Sequence, residues 1–418
     1  MEFNIYLVTY FIKKQLVLMS FSPLYFYNAN LFLTYAIGFI ISLFVLRGEY
    51  FYYSLGVAFI ISISTLFFNL GWFVTTKIRI VPLSYPQTSK ISYLFTLIFI
   101  LTASYIYYKT PPALLASFMG SEYTVSELRA MATKGKSGID SFINGFFYAS
   151  SYIGLGFFVL LAFYKNFRLK WLVLLGSILL VMLNGQKSRF LIPLLPVIFL
   201  YIQRGNFKLV NGLLIIGSST LIIALIALNF TGGEYSSLSN LDTQERVTQG
   251  GRDLFEQRTS VSFIIHRIFW IPYITAIDWL RYIDTSLHEY LMGASIPVFS
   301  NLIGVDRVNL DNAVFKFQYD VSYKSLGSAN SFFAFDAIAN FGYGVLLVLP
   351  VMLGMVFATI WKGLPEPFNL MIFVWLFSFQ SSSFHALFLG GGMFIVFFLI
   401  LLKNILSLAV TTPQQHSK

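Results

Sequence analysis

The chain has 418 residues, of which 57% are hydrophobic and only 11% carry a charge. A soluble domain carries roughly 25% charged residues, so this composition excludes a water-soluble globule and requires a bilayer around the protein. The absence of cysteine excludes disulfide frameworks, thiolate catalysis and Cys-ligated zinc, and the net charge of +10 does not indicate nucleic-acid binding, because the bases are spread over short loops.

The apolar segments predict an all-α polytopic membrane protein with about ten transmembrane helices. Residues 1–28 lack a small-residue cleavage site after a short apolar core, so they are expected to be a retained cytoplasmic or interfacial segment. A helix needs about 20 apolar residues to cross the hydrocarbon core. The segments that meet this requirement are 30–46, 51–74, 91–108, 142–164, 170–185, 190–203, 209–229, 331–360, 368–383 and 391–410.

Charge asymmetry predicts the orientation of these spans. With both termini in the cytoplasm, the inner segments carry thirteen bases and two acids, while the outer segments carry fifteen bases and sixteen acids. Inner loops of membrane proteins are enriched in Lys and Arg, so this orientation is the one that the sequence favours.

Two long outer loops divide the chain. One covers about 109–141 and the other about 230–330, which separates an N-terminal membrane bundle (1–229) from C-terminal membrane helices (331–418). The chain has no internal repeat, so the inverted-repeat pattern of many secondary transporters is absent.

The large outer loop is rich in arginine and poor in lysine. Arginine binds phosphate bidentately and keeps its charge when it is partly dehydrated, so the bias indicates a pyrophosphate at the membrane surface. The alternative is that these are solvated charges paired with acids of the same loop. The arginines are Arg246, Arg252, Arg258, Arg267, Arg281 and Arg307.

Within this loop, residues 273–291 are predicted to form an amphipathic helix that starts after Pro272. Such a helix would lie in the interface with its polar side towards a substrate cavity; a plain surface helix resting on the bundle is the alternative. Upstream, His266 and Arg267 interrupt an apolar stretch and are expected to face protein or a wet cavity. The residues on the polar side of the helix are Asp278, Arg281, Asp284, Thr285, His288 and Glu289.

A second candidate site is the outer turn between the fifth and sixth spans, which contains Lys187 and Arg189. Bases on the outer side run against the positive-inside trend, and binding the diphosphate of a lipid carrier would explain their presence. His385, in the outer turn after the ninth span, is interpreted as structural in preference to catalytic.

The pattern resembles the Wzy-type O-antigen and capsule repeat-unit polymerases, which are related to the O-antigen ligases. The resemblance rests on Ser20–Leu24 before the first span, on Lys187-Ser188-Arg189 at the start of an inward helix, on the Arg-rich outer loop, and on 330–336 followed by 340–344. The chain departs from the ligases in having no His at the helix that begins near Ser328, and it lacks paired Arg-x10-Gly motifs. The departure from the ligases favours a polymerase.

The resemblance implies a GT-C-like arrangement and a reaction between two undecaprenyl-diphosphate-linked oligosaccharides at the outer leaflet. A chain-length-determining co-polymerase is an expected partner by family analogy. The carboxylates of the sequence have no tight metal-ligand spacing, so neither a metal nor a cofactor is expected. The leaving diphosphate needs cations around it, for which Arg189, Lys187, Arg252, Arg258, Arg281 and Arg267 are the candidates. The attacking hydroxyl needs a base, for which the candidates are Glu289, His288, Asp278 and His266.

Other functions remain open from the sequence, among them a cell-wall polymerase of the shape-and-division class, for which no specific pattern is present, and a scaffold, which would leave the outward arginine bias unexplained. An O-antigen ligase would transfer finished polymer to the lipid A core. A lipid-linked oligosaccharide flippase would do no chemistry, but the outer loop of roughly 100 residues and the scarcity of charges within the spans argue against it.

Overall fold

Every regular element in the described part of the chain is a helix. The computed structural model describes residues 14–110, 112, 115, 139–183, 187–230, 270–296, 299–300, 303–319, 329, 331–383 and 385–411. In chain order the helices are α1 (14–21), α2 (Pro23–Val45), α3 (Gly48–Lys77), α4 (Tyr85–Lys109), α5 (Ile139–Ser150 and Phe157–Tyr164, joined by the π-turn Ser151–Gly156), α6 (Lys170–Met182), α7 (Leu191–Gln203), α8 (Phe207–Phe230), α9 (Ile271–Thr285), α10 (Leu310–Tyr319), α11 (Phe333–Phe341), α12 (Leu349–Gly363), α13 (Ile372–Phe379) and α14 (Met393–Thr411).

Five of the helical stretches are long and apolar enough to cross a bilayer: Pro23–Val45, Gly48–Lys77, Tyr85–Lys109, Phe142–Tyr164 and Tyr343–Gly363. Many of their large apolar side chains, such as Phe44, Phe59 and Leu66, point away from the protein, as lipid-facing residues do. The protein is therefore a helical membrane protein, while the number of about ten spans stays a prediction. Five further apolar helices are shorter: Lys170–Met182, Leu191–Gln203, Phe207–Thr220, Phe368–Phe379 and Met393–Ser407.

Local capping explains where two of the long helices begin. Ser84 accepts a hydrogen bond from the Gln87 backbone N–H at 3.4 Å, and the Gln87 side chain accepts one from the Ser84 N–H at 3.1 Å. This reciprocal pair satisfies two donors that a helix start leaves open. At the start of α2, Ser22 accepts from the Tyr25 N–H, and Pro23 occupies the first turn, where its missing N–H costs nothing.

The segment 331–360, which the sequence predicts to be one span, is divided at Gly342. This residue has φ +78°, a conformation that L side chains rarely adopt, and α11 ends there. A Cβ at Gly342 would also lie 3.0 Å from the ring of Tyr290. A 3₁₀ turn, Tyr343–Leu347, then leads into α12.

The predicted helix over 273–291 is shorter and more deeply placed than the sequence indicates. It ends at Thr285, and the chain then turns so that the backbone N–H groups of Leu291 and Met292 donate to the carbonyls of Ala339 and Asn340. These carbonyls belong to the C-terminal turn of α11, which has no partners within its own helix. α9 itself packs against α2, α3, α10 and α11, so it is an internal helix and not an interfacial one.

The bases of the predicted inner loops gather at one end of the bundle. Lys362 donates to the carbonyls that end α3, at 3.1 Å to Thr76 and 2.6 Å to Ile78, and Lys403 donates to Pro82 at 2.5 Å. Lys165 lies over the ring of Tyr85, at the start of α4.

The far ends of α3 and α4 define the opposite end of the bundle. α4 ends at Lys109, which forms an ion pair of 3.0 Å with Asp140. α3 begins at Gly48 and Glu49 on the same side, since it ends beside Lys362. We call this the distal end; the sequence predicts that it is the outer one.

Helices α3 and α12 approach each other through two glycines. A Cβ on Gly71 would lie 2.0 Å from the carbonyl oxygen of Val351, and a Cβ on Gly354 would lie 2.1 Å from that of Phe68. Small residues that allow backbones to approach are typical of helix contacts in membranes. Phe68 and Phe357 add an edge-to-face ring pair at 5.7 Å beside this contact.

Replacing either glycine by alanine is therefore expected to destabilise the protein, because the opposing atoms are backbone and cannot move aside. For Gly354→Ala we expect a loss of roughly 2 kcal/mol or more, as for other overpacked sites. Gly176→Ala is the control, since a Cβ there meets no atom within 4 Å. Thermal unfolding in detergent is the measurement, and equal melting temperatures for the two variants would contradict the packing.

Candidate functional site

Arg189 lies at the distal end, in the first turn of a helix. A 3₁₀ turn, Lys187–Phe190, runs directly into α7. The guanidinium carbon lies 4.0 Å from the centroid of the Tyr148 ring, on α5. This stacking fixes the plane of the guanidinium and leaves its edge for hydrogen bonds.

The Arg189 guanidinium is incompletely paired among the residues that the structure describes. Its Nη1 atom is buried and has no hydrogen-bond partner among these residues. The hydroxyl of Tyr107, which lies close enough to interact electrostatically with Arg189, is likewise buried without a partner in the described part of the chain. Buried donors are nearly always satisfied, at a cost of about 1–3 kcal/mol when they are not, so this position is suited to an acceptor from a ligand.

Arg281 has side-chain partners within the protein, although its buried Nε atom also has no hydrogen-bond partner among the described residues. It donates to the hydroxyl of Tyr50, stacks on the Tyr50 ring at 4.2 Å, and lies 3.9 Å from Asp278. Asp278 is only 1% exposed. These contacts give Arg281 and Asp278 a role in fastening α9 to the start of α3.

The remaining residues of the predicted polar side are dispersed. His288 and Glu289 follow the end of α9 and are exposed, so helical periodicity does not bring them to Asp278. Asp284 stays on α9 and accepts a hydrogen bond of 3.1 Å from Tyr343. His266, Arg252, Arg258 and Arg267 lie outside the described residues, as does the side chain of Lys187.

A buried aspartate and a histidine from distant parts of the chain meet at the distal end. Asp336 on α11 is 3% exposed, and its Oδ2 lies 3.4 Å from Nδ1 of His385. Its Oδ1 accepts from the hydroxyl of Ser295 at 3.2 Å and from the amide of Asn340 at 3.4 Å. The Asn340 amide also donates to the Ser295 hydroxyl at 2.7 Å, so the carboxylate sits in a network with defined orientation.

Two more charged residues surround this pair. Burial, followed by the charge of Asp336, raises the pKa of Asp311 on α10 to about 6, while His385 and Arg307 oppose the increase. Arg307 donates through Nε to the carbonyl of Ser295 at 3.4 Å. We call Asp336, His385, Asp311 and Arg307 the distal cluster.

The distal cluster adjoins the helix beneath Arg189. The π-turn Ala386–Gly390, which follows His385, packs against the part of α5 that carries Tyr148. A Cβ on Gly392 would lie 3.1 Å from the carbonyl oxygen of Ala149, which shows how close the two segments are. Arg189 and the turn that carries His385 therefore both adjoin the same part of α5.

A groove of about 710 Å³ opens beside α3 at the same end. Its lining is mostly apolar, with residues such as Phe59, Ile63 and Leu347, and it includes the carboxyl groups of Glu49 and Asp284. These two acids disfavour the binding of a diphosphate.

No family model matches the chain, and neither a curated protein nor a solved structure is similar to it. Among the described residues, no group of three or more His, Cys, Asp or Glu side chains could hold a metal ion. The geometry of the site is therefore the basis for a function.

Sequence reasoning passed over most of the distal cluster. Asp336 is a lone acid between Phe335 and Ala337 in an apolar segment, and an isolated charge in such a segment is itself a functional signal. The sequence favours a structural role for His385, because a lone histidine in such a turn is more often structural than catalytic. The two residues are 49 positions apart, so no periodic pattern connects them.

The raised pKa of Asp311 predicts a pH-dependent stability. The folded-state pKa of this acid exceeds its unfolded value, which is roughly 3.9. Its contribution to the free energy of unfolding is therefore complete below the unfolded value and is lost as the pH rises through about 6. Asp311→Asn should therefore be more stable than the wild type at pH 7.5, by on the order of 1–2 kcal/mol, with a smaller advantage at pH 4.5. Thermal unfolding at both pH values measures this. Asp306→Asn, at an exposed position nearby, is the control, and an advantage that does not grow with pH would contradict the prediction.

Proposed function

We propose that this protein is an oligosaccharide repeat-unit polymerase. It joins undecaprenyl-diphosphate-linked repeat units into O-antigen or capsular polysaccharide at the outer face of a bacterial inner membrane, with both termini in the cytoplasm. The observation that carries the proposal is Arg189, a cation at the distal end whose buried Nη1 has no acceptor among the described residues.

Its position on the helix strengthens the case for an anionic ligand. The first turn of a helix presents unpaired N–H groups and the positive end of the dipole, so it attracts anions and disfavours cations. Arg189 lies at such a turn, where a bound phosphate would satisfy both the helix and the guanidinium. The headgroup of a lipid carrier reaches this depth, since its polyprenol remains in the bilayer.

The chemistry requires this kind of group. When a hydroxyl of the acceptor repeat unit attacks the anomeric carbon of the donor, the bond to the diphosphate breaks and negative charge develops on the departing oxygen. A preorganised guanidinium at that oxygen lowers the barrier, because it is already oriented by Tyr148 and need not rearrange. A planar fork contacts two phosphate oxygens at once, which an ammonium group does not.

Arg189→Ala should weaken the binding of undecaprenyl diphosphate by about 10–100-fold, the equivalent of one or two charge-assisted hydrogen bonds. Arg189→Lys should recover only part of this loss, because it keeps the charge but not the fork. Binding to the purified protein, and polymer-length ladders from cells without the native copy, are the measurements.

The matched control is Arg204→Ala, at the other end of the same helix. Arg204 also lies over tyrosine rings, Tyr164 at 5.3 Å and Tyr201 at 6.0 Å, but it is the C-terminal cap of α7. Its replacement should leave the binding of the carrier unchanged. If the Arg189→Ala variant gave polymer-length ladders like those of the wild type, Arg189 would not be part of the site.

Deletion of the gene distinguishes this function from the related ligase. A cell without the polymerase should display surface lipid capped by a single repeat unit, because units are still made and ligated but not joined. A cell without the ligase should instead keep long polymer on its carrier. One gel of the surface and carrier-linked glycans separates the two outcomes, and stranded polymer would contradict the proposal.

A further inference from the structure

The carboxylate of Asp336 is positioned to direct the proton chemistry of His385. A buried carboxylate is costly unless it is hydrogen-bonded, and Ser295 and Asn340 satisfy its Oδ1. Its Oδ2 is then directed at Nδ1 of His385, 3.4 Å away. An Asp–His contact of this kind places the proton on Nδ1 and makes Nε2 the basic nitrogen.

His385 also combines burial with access to the surface. Its side chain is 12% exposed, against 4% for Asp336, so the carboxylate is deeper and the imidazole lies between it and the surface. It directly precedes the π-turn Ala386–Gly390, and π-turns within helices are frequent at functional sites. A purely structural role would be filled as well by apolar residues, since buried ion pairs add little stability over well-packed apolar groups.

Two carboxyl groups on different helices belong to this cluster. Asp336 on α11 contacts His385 directly, and His385 is close enough to Asp311 on α10 to oppose the increase in the pKa of that carboxyl group. The distal cluster thus has the arrangement of many acyl- and glycosyl-transfer sites, in which an acid orients the base.

We infer that His385 is the general base that deprotonates the acceptor hydroxyl, and that Asp336 positions it. This inference rests on the proposed function. Nε2 of His385 takes the hydroxyl proton as the acceptor oxygen bonds to the anomeric carbon. The bond between that carbon and the diphosphate oxygen breaks, and its electron pair leaves with the diphosphate. The proton then passes from His385 to the released diphosphate, so no other reactant is needed.

The test uses the full-length protein in lipid nanodiscs with an undecaprenyl-diphosphate-linked repeat unit as the substrate. His385→Ala should lower the rate of polymer formation by about 100-fold or more, within the usual contribution of a general base, and should leave the affinity for undecaprenyl diphosphate within about twofold of the wild type. Added imidazole should restore part of the rate, because it enters the space left by the side chain.

Two further variants separate a base from a structural residue. His385→Asn keeps an N–H that can donate to Asp336 but has no basic nitrogen, so a base predicts a folded and inactive protein. Asp336→Asn should lower the rate by about 10–100-fold and shift the pH dependence of the rate. Asp140→Asn, in the separate Lys109 ion pair, is the control and should keep the wild-type rate.

The outcomes distinguish the two proposals. If the wild type is active and the His385→Asn variant has the same rate, His385 is not the base, although the proposed function stands. The same conclusion follows if the rate of the His385→Ala variant falls less than threefold. A folded wild type that binds the carrier but forms no polymer overturns the proposed function and this inference with it. Loss of carrier binding in all His385 variants also overturns the inference, because it indicates a structural role.

Discussion

Polar groups inside this bundle are shielded from bulk water, so they need hydrogen-bond partners within the protein. That constraint determines how the helices are connected. Gln380, which is 2% exposed, shows the effect. Its amide donates to the carbonyl of Tyr27 at 3.0 Å and accepts from Asn30 at 2.7 Å, while its backbone carbonyl accepts from Tyr35 at 2.7 Å. The residue that follows α13 is thus hydrogen-bonded to three residues of α2. An unsatisfied group in an apolar interior would cost several kcal/mol.

The same constraint distinguishes the two ends of the protein, because the cationic side chains at each end have different partners. At the base-rich end, Lys362 and Lys403 donate to backbone carbonyls, and Arg204 caps the C-terminus of α7. Such positions favour a cation, since carbonyl groups and the negative end of a helix dipole face it. At the distal end Arg189 lies at the opposite pole of α7, where the helix itself disfavours a positive charge. Under the proposed function, the anion that Arg189 binds would offset this unfavourable position.

Sequence reasoning recovered the features that depend on local chemistry or on composition. The predicted span 91–108 lies within α4, Tyr85–Lys109. The sequence also singles out Arg189, because its charge runs against the positive-inside trend. The break at Gly342 was missed, since the apolar pattern continues across it and only the backbone conformation reveals it.

Contacts between segments that are far apart in the sequence cannot be predicted from a local sequence pattern. The predicted helix over 273–291 requires the helical period to continue past Thr285, where the helix ends, so His288 and Glu289 do not join Asp278. The pairing of Asp336 with His385 requires α11 and the turn after α13 to be neighbours, and one sequence without its fold does not contain that information.

The charges of the distal end also bear on where each part of a substrate goes. Glu49 and Asp284 line the groove beside α3, and two carboxyl groups there repel a diphosphate, which carries a negative charge of its own. Arg189 instead lies over the ring of Tyr148 on α5. If the proposed function holds, the leaving diphosphate is drawn towards Arg189 and away from the groove. The groove then remains open to uncharged groups, such as the hydroxyl-bearing sugars of an acceptor or the isoprenoid of its carrier, whose transfer into the apolar wall is favoured by burial.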